Sequence, residues 1–100
     1  MIDLQQLQKR IYRNKVEKGF NVTDVHREFC RTYGELSEAC DAYMQKKDDL
    51  GEELADVTIY LLGLCEILNI NLEKELLNKV EKNEKRQYIQ QNGVNVRIEG

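Results

Sequence analysis

Gly34-Glu35-Leu36-Ser37-Glu38-Ala39, followed after a spacer by Glu52-Glu53-Leu54-Ala55-Asp56-Val57, is the stretch on which the reading of this chain turns. It holds two pairs of carboxylates, Glu35 with Glu38 and Glu53 with Asp56, each pair three residues apart. Positions i and i+3 share a helix face. Two such pairs on antiparallel helices bring four carboxylates to one spot, where repulsion and burial both penalise them. A hard divalent cation relieves that penalty, because Mg²⁺ takes oxygen ligands and keeps positions open for phosphate oxygens. The stretch predicts a magnesium site inside a helical hairpin.

Working outward, the pairs lie on two predicted helices. The first runs from Thr23 or Asp24, both competent N-caps, to about Gln45. Val25, Phe29, Tyr33, Leu36, Cys40 and Tyr43 give its apolar stripe, with Glu35 and Glu38 flanking it. The polar connector Lys46-Lys47-Asp48-Asp49 is short enough to join antiparallel neighbours. The second helix follows over about 49–69, with Leu50, Leu54, Val57, Leu61, Leu64 and Leu68 at steps of four and three. Ile59, Leu62 and Ile67 spread apolar surface around it, so it is central or lies in an oligomer interface.

Upstream, residues 3–18 read as a helix capped by Asp3 and ended at Gly19. Downstream, Asn71 caps a fourth helix whose apolar face is Leu72, Leu76 and Val80 and whose end is cationic. Asn92-Gly93, set among β formers, signals a hairpin. The expected architecture is all-α, a four-helix bundle over residues 1–88 with a C-terminal tail over 89–100 that can form a β-hairpin.

One hundred residues make one small domain, for which self-association is a reasonable route to a larger core. A net charge of −3 and a pI near 5.2 argue against nucleic acid or an anionic membrane as partner. The absence of proline suits long helices. Cys30, Cys40 and Cys65 sit among apolar residues without CxxC spacing, so buried reduced thiols and a cytoplasmic home are expected. The N-terminus shows no apolar leader segment, and the run Val57 to Ile70 is too short and too polar to cross a bilayer.

Ordinary explanations stand beside each functional one. A lone ExxE is usually a solvated helix face; here both pairs border apolar stripes on helices joined by a short loop. The cations Lys79, Lys82 and Arg86, with Asn83, are ordinary dipole partners at a helix C-terminus. As a functional group they would bind phosphate, Lys and Arg supplying charge and Asn83 a hydrogen bond. Lys15 and Lys18 could join them. His26, the sole histidine, reads as a surface or capping residue. With no ExxH spacing, a ferritin-like di-iron site lacks parts, and so does a nucleophilic mechanism. Phe20 and Tyr60 could stack on a base, though core packing is the commoner fate of such residues.

Together with Lys79-Val80-Glu81-Lys82-Asn83-Glu84-Lys85-Arg86-Gln87-Tyr88, the two acidic blocks resemble the MazG family of all-α nucleoside triphosphate pyrophosphohydrolases. The resemblance covers roughly residues 5–88. It implies hydrolysis between the α and β phosphates, Mg²⁺ as cofactor with Mn²⁺ able to substitute, and a homodimer or homotetramer. Carried over, Glu53 and Asp56 match the family's ExxD metal ligands, Glu35 the second glutamate of its first motif and Glu38 an acidic position often seen there. On that match these four acids are the catalytic metal-binding set. Lys79 and Asn83 match the basic helix that holds the nucleotide phosphates, with Lys82 and Arg86 beside them. Thr32 stands where the family's first motif commonly has a glutamate, and Glu28 offers a further carboxylate two turns before Glu35. The rival expectation is a non-catalytic MazG-like helical module that binds a nucleotide or protein partner.

Overall fold

A computed structural model describes residues 1–98. Four helices come in order, α1 (Leu4–Glu17), α2 (Val25–Met44), α3 (Leu50–Ile67) and α4 (Leu72–Lys85). Two strands follow, β1 (Gln87–Gln91) and β2 (Val94–Ile98). The chain is an all-α bundle with a small terminal hairpin, as expected from the sequence. Side-chain oxygens of Asp3, Asp24 and Asn71 accept from the backbone N–H groups of Gln6, Arg27 and Lys74, which caps α1, α2 and α4. Asp49 precedes α3 without making such a bond.

Gly19 ends α1 at φ 71°, with its N–H on the Val16 carbonyl and that of Phe20 on the Lys15 carbonyl. This paired pattern closes the last turn and satisfies its free carbonyls. Lys46 and Asn69 close α2 and α3 in the same way at φ 55° and 57°. The reversal through residues 45–49 lays α3 along α2, and α3 also packs on α1. Helix α4 packs on α1, which sets the order α2–α3–α1–α4. Its seat is polar. Buried Gln8 donates to the Ile70 carbonyl (2.7 Å) and to Glu66 (3.0 Å), and the Leu4 N–H donates to Glu73 (2.9 Å).

The core, Ala39, Ala42, Leu62, Leu64 and Cys65, corrects the expectation for α2. The residues of α2 turned inward are Val25, Glu28, Thr32, Glu35, Ala39 and Ala42, so of the expected stripe only Val25 is on the inner side. Alanines 39 and 42 let α3 approach closely, and that approach rotates Phe29, Tyr33, Leu36 and Tyr43 outward. On α3 the leucine ladder splits: Leu64 is buried and Leu50 and Val57 half-buried, whereas Leu54, Leu61 and Leu68 are exposed. The same rotation exposes Cys30 and Cys40, against the expectation of three buried thiols; Cys65 alone is buried, which pushes its thiol pKa up.

Asn92 and Gly93, at φ 52° and 78°, form the turn that joins β1 to β2. Tyr88 pairs with Arg97 and Ile89 with Val96. Side chains alternate, so Ile89, Val94, Val96 and Ile98 share one face.

Candidate metal and substrate site

The rotation of α2 that exposes its aromatics brings its acids to α3. Single carboxylate oxygens of Glu35, Glu38 and Glu53 all lie within 4.8 Å of one another. Glu35 and Glu53 are half-buried and Glu38 is exposed. Partial burial, then the charges of Glu38 and Asp56, push the Glu35 pKa up, and a hydrogen bond shared with Glu38 adds to the shift. Glu53 is also pushed up, first by partial burial, then by the charges of Asp49, Glu38 and Asp56. Asp56 is exposed and stands outside the tight trio, yet near enough to act on both. The sequence had singled out all four.

This donor set fits a hard dication. It offers several carboxylate oxygens that resist ionising together, and it contains no thiol or imidazole. Thr32 does not join it: its hydroxyl donates to the Glu28 carbonyl one turn back, at 2.8 Å. Nor does Glu28, which corrects the idea that it supplies a further ligand. Glu28 is buried and paired with Lys15, and its second oxygen accepts from Asn21 (3.1 Å). Lys15 is likewise no free phosphate ligand. Its ammonium is buried against Glu28 and lies 5.2 Å from the Tyr60 ring centroid.

Next to this pair lies a cavity of about 590 Å³ that sequence reasoning did not foresee, lined by Lys15, Phe20, Asn21, Arg27, Glu28, Arg31 and Tyr60. Phe20 is exposed here, so the core role expected of it does not apply. Phe20 and Tyr60, the two aromatics that the sequence offers as base-stacking residues, both line it, but nothing in the sequence shows that they meet. His26 is exposed, as expected, with Nε2 3.7 Å from the Cys30 sulfur.

The cationic end of α4 is a cluster of its own. Arg86 donates to Asn83 Oδ1 (3.0 Å). The Lys79 ammonium is held below its ordinary pKa first by Arg86, then by burial, Lys82 and Arg97. The hairpin thus adds Arg97 to the cations foreseen on α4. Such crowding is relieved by a bound anion. Within one chain α1 stands between α4 and the α2–α3 pair in the packing order.

No helix among the described residues is long and apolar enough to cross a membrane. No curated protein and no solved structure matches the chain. Residues 27–98 match the model of the MazG-like family, a span that holds all but the first two residues of α2, then α3, α4 and the hairpin. Both acidic pairs and the cationic helix end fall inside it. That span is well over half of the chain, which therefore belongs to the MazG-like family.

Proposed function

We propose that the chain is a Mg²⁺-dependent nucleoside triphosphate pyrophosphohydrolase that converts NTP or dNTP to the monophosphate and pyrophosphate, as a guardian of the cytoplasmic nucleotide pool. The observation that carries this reading is the Glu35–Glu38–Glu53 cluster, built across two helices in a MazG-like chain. Those three residues would hold the metal, with Asp56 beside them. Bound there, Mg²⁺ (or Mn²⁺) supplies positive charge to the phosphate oxygens as the bond to the α phosphorus breaks.

The chain's own residues do the rest. One of the carboxylate oxygens takes the proton of the attacking water. Lys79, Asn83, Lys82 and Arg86 bind the leaving pyrophosphate or the remaining phosphate through charge and hydrogen bonds. A homodimer or homotetramer completes the assembly.

The direct test is pyrophosphate release from a panel of canonical and modified nucleoside triphosphates, with Mg²⁺ and with EDTA. Metal-dependent release of pyrophosphate, and not orthophosphate, is the expected result. Glu53→Gln should lower turnover by about a hundredfold or more, the scale on which a proton acceptor contributes, while its melting curve stays cooperative. Thr32, turned into its own helix, favours one second reading: a MazG-like module that binds without turnover. Binding of nucleotide without release of any product by the wild type would establish that module instead.

A further inference from the structure

Three cavities share their walls in series. Lys15, Phe20 and Tyr60 line both the first, of about 650 Å³, and the second, of about 590 Å³. Arg27 and Arg31 line both the second and a third of about 300 Å³, whose far end is Glu35 and Glu38. A hollow that holds Phe20 and Tyr60, with Arg10 and Arg13 on its rim, is thus linked through Arg27 and Arg31 to two acids of the cluster, Glu35 and Glu38. Arg27, Arg31 and Glu35 stand four residues apart in one row on α2, each step rising about 6 Å along the axis.

Exposed arginines on a helix are usually just solvated, and two observations separate these from that case. First, neither guanidinium has an ion-pair or hydrogen-bond partner among the described residues, although Arg31 and Glu35 stand at the spacing that commonly pairs on helices. Second, the acid between them in the second cavity is already spent: Lys15 and Asn21 occupy both oxygens of Glu28. Two permanent cations with forked donors are thus left open to the cavity. Neither belongs to the blocks on which the family resemblance rests.

We propose that Arg27 and Arg31 are substrate-binding residues that grip the phosphate chain of the nucleotide between the aromatic hollow and the acid cluster. The proposal rests on the pyrophosphohydrolase reading and extends it. A ligand fitting this row has a planar ring to lie against Phe20 or Tyr60 at one end, negative charge along its middle and a bound cation at the other. Forked N–H groups meet phosphate oxygens two at a time, which fixes the chain's direction as well as holding it.

The test is calorimetric binding of two probes, inorganic tripolyphosphate and an α,β-methylene nucleoside triphosphate, to wild type, R27Q, R31Q and the double variant. Each single change should weaken both probes tenfold or more, and Arg→Lys should restore only part of the loss. The uncharged nucleoside should bind all variants alike, and melting should not change. Equal binding of the charged probes by wild type and double variant would overturn the proposal, as would failure of the wild type to bind either probe. A wild type that binds both but releases no pyrophosphate overturns the catalytic reading alone, and the same series still decides the arginines.

Discussion

Removing one member of the Lys15–Glu28 pair leaves the other charge buried alone, which costs about 3–5 kcal/mol. Lys15→Met and Glu28→Gln should each lower stability in urea by that order, and Lys15→Met combined with Glu28→Leu should recover most of it. The acid cluster behaves in the opposite sense. Glu35 and Glu53 hold protons above the ordinary carboxylate value of 4.5, so the folded chain binds protons more readily than the unfolded one. Stability of the metal-free protein from these groups therefore rises as pH falls toward that value, and their repulsion is felt in full above the raised range. Glu35→Gln should melt higher than wild type in EDTA at about pH 7, with the gap closing toward about pH 5. At neutral pH, millimolar Mg²⁺ should raise the wild type's Tm and narrow the same gap. The cluster was legible in the sequence because an i, i+3 pair fixes its own geometry. Lys15 and Glu28 were not, since a buried cation and a solvated one look alike until another helix is laid on them.

The ends of α1, α2 and α3 were read within two residues because capping is local chemistry, whereas α4 stops at Lys85 and β1 opens at Gln87, ahead of the boundary expected at 88. Asp3, Asp24, Asn71 and Gly19 do at each end what their side chains, or the lack of one, dictate. Lys46 is the exception, a side-chain-bearing residue held at φ 55° where glycine sits more easily. Lys46→Gly should raise stability by up to about 1 kcal/mol in chemical denaturation, the relief of left-handed strain exceeding the entropy that glycine adds to the unfolded chain. The facing of α2 was beyond the sequence. Its apolar stripe promised one inward side, but two alanines decided the packing, because close approach to α3 requires small residues rather than greasy ones. Which of two half-apolar faces meets a neighbour depends on what the neighbour presents, and no single helix records that.

The whole molecule is open for its size. Its radius of gyration is 17.1 Å, where a compact chain of this length has about 13 Å. Its accessible surface is 8102 Å², where a folded monomer of its mass has about 5900 Å². The excess, with Phe29, Tyr33, Leu36, Leu54 and Leu61 among the exposed apolar residues, is of the order that obligate interfaces bury. A homodimer or homotetramer by light scattering at micromolar concentration is the expected outcome, and its Tm should climb with protein concentration. A monomer would leave that apolar surface without an account. The Lys15–Glu28 bridge carries one more implication. It ties α1 to α2 and both its members also wall the cavity of about 590 Å³ between those helices, so whatever fills that cavity strengthens the tie. The first helix is then a latch: its backbone amides trade hydrogen for deuterium quickly when the hollow is vacant and slowly when it is filled, so exchange on α1 reports occupancy without any turnover.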